Sequence, residues 1–307
     1  MGHIVERVHG WLQRLRRRPP VVVHAAPAEQ LKLLPPPLEP QPLRCLPLLA
    51  DEGLAFLATI MGGHSVAFSG WEVSRIINAT LLGLELGLPG IRALASDRPE
   101  GLDQALLEQG EALGLGAEVR AFLARHGTGR DTGPASEYHL TDTADCWWVR
   151  ASLEHPDIRQ RLDAPEIVVD FGTLFHEADP RRRILRLAEL RPRLLVLDTL
   201  IIDETRLPEG SPFTAASAWY VAAMTPEQTR LMADYWRAIQ PCPAQFDLLP
   251  HGGTREDFRR AGLDALWWWF MGREAVRGML LDAGYRVISV TPSWGGRSAI
   301  FTAEAVA

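Results

Sequence analysis

Apolar and polar positions take turns along most of this chain in runs of strand and helix length. Ser65 to Phe68 is a short apolar segment, Val73 to Leu86 carries a helical period, Ile91 to Ala95 is strand-like, and about Leu102 to Leu113 is helical again. That βαβα order predicts an α/β sheet. Glu166 to Phe171 reads as a buried strand. Asp179 stands where it caps a helix with Pro180 at its first position. Ile184, Leu185 and Leu187 give that helix an apolar side, and Arg191-Pro192 ends it. Leu194 to Ile202 is almost continuously apolar, the pattern of a central strand covered on both faces. Thr225-Pro226-Glu227-Gln228 has the capping-box spacing, with Met232, Tyr235, Trp236 and Ile239 on the buried side of the helix it opens. A last helix, Arg273 to Asp282, is closed by Gly284. Strands Tyr285 to Val290 and Ser298 to Ala303 follow, joined through Trp294-Gly295-Gly296-Arg297 as a hairpin.

The chain before this region is different. Between residues 3 and 18, Ile4, Val8, Trp11, Leu12 and Leu15 share one helical face, while Arg7, Arg14, Arg16, Arg17 and Arg18 lie elsewhere. This basic amphipathic helix reads first as packed on the body and second as a membrane-surface or docking segment. Nine prolines between residues 19 and 47 forbid regular structure and suggest an extended arm. The expected division is therefore an arm, 1–47, and a domain, 48–307. Residues 127–157, rich in Gly, Thr, Asp and Trp, read as a long loop or insertion.

Composition narrows the classes. With 307 residues, 47% hydrophobic and 23% charged, the chain is an ordinary globular one, which excludes wholesale disorder, collagen and a disulfide scaffold. A net charge of −6 gives no support for nucleic-acid binding, and neither basic run is interleaved with aromatics. Cys45, Cys146 and Cys242 are odd in number and far apart, so a reducing cytoplasm is the simplest compartment. The longest uncharged run, Gly53 to Trp71, is broken by Gly62-Gly63-His64-Ser65 and is not read as a membrane span. His139, Asp142, Asp145 and Cys146 match no strong ligand spacing, so no metal is expected. The expected partner is a small molecule, with a homodimer or a protein held through the N-terminal arm left open.

Two stretches carry a family resemblance. The run Glu166-Ile-Val-Val-Asp-Phe-Gly-Thr-Leu-Phe-His-Glu-Ala-Asp-Pro180, then a helix, Arg191-Pro192 and Leu195-Val-Leu-Asp-Thr-Leu-Ile-Ile-Asp203, resembles the second half of a class I S-adenosylmethionine-dependent methyltransferase. Ala283-Gly284-Tyr285 before a terminal antiparallel hairpin is similar to that family's ending. Leu197 to Asp203 and Trp267-Trp-Trp-Phe270 are further similar to the tRNA wobble-uridine carboxymethyltransferase branch. The resemblance spans residues 160–303 and implies a Rossmann-like α/β fold with a C-terminal antiparallel hairpin, and S-adenosylmethionine as cofactor.

The family's glycine-rich loop is matched best by Val66-Ala-Phe-Ser-Gly-Trp-Glu-Val-Ser-Arg75. Gly70 keeps the first glycine, Phe68 replaces the acid, Glu72 the second glycine and Ser74 the third. Asp97 follows the presumed second strand, where the family's acid meets the ribose hydroxyls. By position, Gly70, Glu72 and Asp97 would hold the cofactor, and Phe171, Gly172 and Thr173 would border its reactive end. His176, on the carboxyl edge of the sheet, is the expected base, a role weighed against a mere loop hydrogen bond. Trp219, Tyr220, Trp267, Trp268 and Trp269 are the expected walls of an acceptor pocket, since consecutive tryptophans cannot all enter one core. Arg181-Arg182-Arg183 reads as a solvated face.

Two other functions compete with methyl transfer to a small acceptor. With the glycine loop altered, the fold could serve as a binding or scaffold subunit. Gly63-His-Ser-Val-Ala67 is also similar to the nucleophile elbow of α/β hydrolases, with Ser65 as nucleophile and Asp198 or Asp203 with His251 following in order. Ala67 replaces the last glycine of that elbow, and the strands a hydrolase needs before it have no counterpart upstream.

Overall fold

The computed structural model describes residues 43–70, 73–95, 101–126, 147–150, 153, 155–239 and 269–306. The expected basic helix and most of the proline-rich arm lie outside these residues.

Among the described residues nine strands run in chain order: β1 (Val66–Gly70), β2 (Ile91–Ala95), β3 (Trp148–Arg150), β4 (Ile167–Phe171), β5 (Leu194–Leu200), β6 (Ala218–Tyr220), β7 (Trp269–Met271), β8 (Tyr285–Ser293) and β9 (Ser298–Ala305). The helices are α1 (Glu52–Ile60), α2 (Val73–Glu85), α3 (Leu102–Ala112), α4 (Gly116–His126), α5 (Ile158–Arg161), α6 (Pro180–Glu189), α7 (Pro226–Ile239) and α8 (Arg273–Asp282). Seven strands form one sheet in the order β3-β2-β1-β4-β5-β9-β8. The β3 to β5 part is parallel, and β9 pairs antiparallel with both β5 and β8. The 3-2-1-4-5 order is that of doubly wound nucleotide-binding sheets, and here a reversed hairpin closes it. This is the Rossmann-like sheet with a C-terminal antiparallel pair that the sequence resemblance implies.

Every residue of β4 and β5 is buried, because helices cover both faces. On one face Ala67, Val168, Leu195, Leu197 and Phe301 pack with Ile184 and Leu187 of α6 and Val276 and Leu280 of α8. On the other, Val66, Phe68, Val169 and Val196 meet Leu54, Leu57, Ile76, Leu81, Leu106 and Val119 from α1 to α4. Each fully buried side chain of this size contributes about 1.5–3 kcal/mol of transfer free energy. The middle strand is β4 rather than β5, which the apolar pattern had placed centrally. Both strands are interior, and composition cannot rank them.

Several local expectations hold in atomic detail. Asp179 caps α6 by accepting from the Arg182 backbone N–H at 3.0 Å. Thr225 and Gln228 close the reciprocal capping box of α7 at 2.8 and 3.3 Å. Met232, Tyr235 and Trp236 of that helix are buried as patterned. Gly284 takes φ +82° after α8, as a helix-ending glycine does. Helices α1 and α4 and strand β3 were not anticipated.

The two short strands β6 and β7 form a separate ribbon, with Trp219 opposite Phe270 and Tyr220 opposite Trp269. The Ile202 backbone N–H donates to the Met271 carbonyl at 2.9 Å, which ties the ribbon to the end of β5. No helix among the described residues is long and apolar enough to cross a membrane.

Candidate functional site

In an open α/β sheet the strands' carboxyl ends form the ligand-binding edge, so the site is sought where β1, β4 and β5 end. β1 ends at Gly70 and β4 at Phe171, which are register partners. Gly70 has φ +141°, and a Cβ there would lie 2.2 Å from the Phe171 carbonyl oxygen. Only glycine fits such a position. Gly172 follows at φ +64°, and its N–H donates to the Asp198 carbonyl at 2.8 Å. Gly70 is thus packed against the backbone of the neighbouring strand, and the turn after β4 carries no side chain at Gly172. The Thr173 hydroxyl donates to the Phe171 carbonyl at 3.3 Å, which holds the turn.

Phe68, at the position where the sequence resemblance expects an acid, is fully buried and stacked on Phe171 with ring centroids 6.1 Å apart. The charge near this edge comes instead from Arg75, in the first turn of α2. Its guanidinium lies 4.9 Å from the centroid of the Phe171 ring. It pairs with Asp198 on β5 at 2.6 Å and with Asp51, the cap of α1, at 3.1 Å. The Ser293 hydroxyl at the end of β8 donates to Asp198 at 2.8 Å. Burial pushes the Asp198 carboxyl above its ordinary range, and Arg75 and Ser293 pull it back only in part.

A second network lies on the opposite face. Arg183 of α6 donates to Asp170 of β4 at 2.7 Å and to the Ser69 hydroxyl at 2.6 Å, and it stands 3.6 Å from Glu177. Arg183 is thus largely buried and paired, which corrects its reading as part of a solvated face. The buried carboxylate of Asp170 recruits it. Arg181 keeps an exposed pairing with Asp282.

Glu177 follows His176 and sits close to two other carboxylates. Burial raises its pKa, Arg183 opposes this, and Asp170 and Asp179 add to the rise. A raised folded-state pKa favours the protonated fold, so this contribution is lost as pH rises through that pKa. Glu177→Gln should therefore gain thermal stability over the wild type at pH 8. That gain should shrink to nothing below the ordinary carboxyl value of 4.5 in a series of melts. A gain independent of pH would contradict the burial argument.

His176 ends a single 3-10 turn, Leu174–His176, and is half-buried, its ring centroid 4.2 Å from that of Phe175. The indole N–H of Trp269 donates to the Ala178 carbonyl at 3.1 Å, which docks the β6–β7 ribbon on this same loop. Tyr220 and Trp269 lie 5.1 Å apart between centroids, and Trp219 meets Phe213 edge to face at 4.9 Å. The structure thus brings His176, Tyr220 and Trp269 to one end of the sheet, on the side where β1 and β4 end. Glu72, Asp97, Trp267, Trp268, His251 and the His139 to Cys146 group lie outside the described residues.

The hydrolase alternative does not survive the geometry. Ser65 precedes β1 and accepts from the Glu166 N–H at 3.1 Å, before β4 begins, whereas Asp198 lies toward the far ends of the strands. A nucleophile elbow must follow its strand, so Ser65 is on the wrong edge.

Sequence reasoning missed Arg75 and Arg183. An ionisable residue inside an otherwise apolar strand, Asp170 in β4 or Asp198 in β5, was the available signal that a buried cation must face it.

No family model and no curated protein matches this chain. Solved structures do. Mitomycin 7-O-methyltransferase aligns at 15% identity and a TM-score of 0.42, over 84% of this chain and 54% of its own. The chain thus spans about half the length of that protein. A 1,6-didemethyltoxoflavin-N1-methyltransferase from Burkholderia thailandensis, with 1,6-didemethyltoxoflavin and S-adenosylhomocysteine bound, aligns at 10% identity and a TM-score of 0.45. That match covers 85% of this chain and 82% of the other. A protein from Bordetella parapertussis described as a "possible exported protein" aligns at 14% identity and a TM-score of 0.43, over 97% of this chain and 79% of its own.

Proposed function

We propose that this protein is an S-adenosylmethionine-dependent methyltransferase acting on a small-molecule acceptor by direct methyl transfer. The observation that carries the reading is the docking of the aromatic β6–β7 ribbon, through Trp269 and Ala178, on the segment that follows β4 at the carboxyl edge of the sheet. An aromatic wall at that edge suits both a flat acceptor and a nearby cation.

The cofactor fits this edge in its chemistry. Gly172, at φ +64°, leaves the turn after β4 without a side chain. Arg75 supplies a cation for a carboxylate, in competition with Asp51 and Asp198. Glu72 and Asp97 complete the set by sequence position. When bound, the sulfonium supplies an electrophilic methyl group. The protein's own part is alignment and exclusion of water by Tyr220, Trp219 and the Trp267 to Trp269 run, with His176 taking the proton from the acceptor hydroxyl or amine.

Asp97→Ala is expected to weaken S-adenosylhomocysteine binding at least about tenfold, the effect of losing a hydrogen bond to a charged group. Unchanged affinity in a calorimetric titration would remove the ribose role.

One observation favours a second, noncatalytic reading. The room that Gly70 leaves is filled by the backbone of Phe171, and Phe68 has replaced the acid, so both changes also suit a sheet closed for stability and kept as a scaffold.

A further inference from the structure

Arg297 lies in the turn from β8 to β9, beside the carboxyl end of β5, where Ser298 pairs with Leu200 and Ser293 with Ser298. It is 4% exposed, and its Nε and one terminal nitrogen are buried without any hydrogen-bond partner. Among the described residues no carboxylate lies within ion-pair distance, and the acids in and just beyond β5 have other partners, although the second Glu204 oxygen is itself buried without a hydrogen bond. Asp198 is held by Arg75 and Ser293, Asp203 by Arg206 at 3.3 Å, and Glu204 by Arg273 at 2.6 Å. The Trp294 ring covers the guanidinium, its centroid 4.5 Å away. A second cation approaches the same turn, since a Cβ on Gly296 would lie 3.2 Å from a terminal nitrogen of Arg206.

A guanidinium buried without an anion is costly, and folds keep such a charge where something supplies the anion. Trp294 adds to this picture. It is 49% exposed and holds φ +49°, with Gly295 and Gly296 also at positive φ, so a bulky ring is kept in a strained turn to cover one cation.

We propose that Arg297, with Arg206 beside it and Trp294 as cover, binds an oxyanion, the carboxylate or phosphate group of a small molecule, at the carboxyl edge of the sheet. Two forked guanidinia suit the paired oxygens of either group. Calling that molecule the acceptor rests on the methyl-transfer reading, whereas the anion site does not.

The test uses the full chain and two probes, inorganic phosphate and propionate, titrated by calorimetry at constant ionic strength held with chloride. Saturable binding of phosphate assigns a phosphorylated ligand, that of propionate a carboxylate, and either supports the site. In Arg297→Met the affinity should fall at least tenfold and in Arg206→Gln severalfold, with S-adenosylhomocysteine binding unchanged. Arg297→Met should also melt higher than the wild type, because it deletes an uncompensated charge; a structural arginine would melt lower when removed. Trp294→Ala, which trims an exposed ring, keeps the fold and should weaken the probe severalfold. Binding by neither probe, equal affinity in Arg297→Met, or a lower melting temperature for that variant would overturn the proposal. If the probes bind while S-adenosylhomocysteine does not, the donor reading fails and the anion site stands.

Discussion

Gly70→Ala is expected to destabilise the fold by at least about 4 kcal/mol, a loss reserved for a few severe mechanisms. Two of them act here together. A Cβ at this position would lie 2.2 Å from a backbone oxygen of the adjacent strand, and that oxygen belongs to the fully buried Phe171 and cannot swing aside. The φ of +141° is also one that side-chain-bearing residues rarely adopt. Relief would require β1 and β4 to part at their ends, losing the Gly70–Phe171 pairing and the stacking of Phe68 on Phe171. Chemical denaturation should show a large drop in midpoint, and a change under about 1 kcal/mol would mean the strands are not so closely apposed.

The second large effect is expected at Arg75. Arg75→Met leaves Asp198, 3% exposed, with only the Ser293 hydroxyl, and an uncompensated buried carboxylate costs about 3–5 kcal/mol. The cost should depend on pH. Without its cation, Asp198 titrates further above its ordinary value of 3.8, so the variant's fold favours the protonated acid. That stabilising contribution is present at low pH and lost as pH rises through the folded-state pKa. Arg75→Met should therefore trail the wild type least near pH 4 and most near pH 8. Adding Asp198→Asn should recover most of the deficit at pH 8, since a neutral amide removes the orphaned charge. A double variant as unstable as the single one would show that Arg75 acts through packing on Phe171 instead.

How far the sequence foretold this molecule depended on whether a feature was local. Caps and periods are local, so Asp179, the Thr225–Gln228 box, Gly284 and the boundaries of β2 and α8 were legible to within a residue or so. Helix α1 was not, because Leu54, Ala55, Phe56, Leu57, Ala58 and Ile60 leave few polar positions to mark a face. Strand β3 is three residues long at the sheet edge and was hidden in a stretch of loop composition. Helix α4 follows α3 with little pause, and its apolar face is narrow: Val119 and Phe122.

The site divides in the same way. His176, Gly70 and the aromatic pair Tyr220 and Trp269 were chosen by position along the chain, and the structure brings them to one end of the sheet. The pairs Arg75–Asp198 and Arg183–Asp170 join different elements across the sheet and helices, so no spacing rule announced them. Arg297 was invisible for another reason: its distinguishing property is the absence of a partner, which only three-dimensional packing defines.

Methyl transfer is tested most directly by titrating the purified full chain with S-adenosylmethionine and S-adenosylhomocysteine by calorimetry. Methyl transfer predicts saturable binding of both, in roughly the micromolar range typical of enzyme substrates and cofactors. No heat of binding from either ligand up to millimolar concentration would contradict the proposed activity and leave a sheet retained as a scaffold.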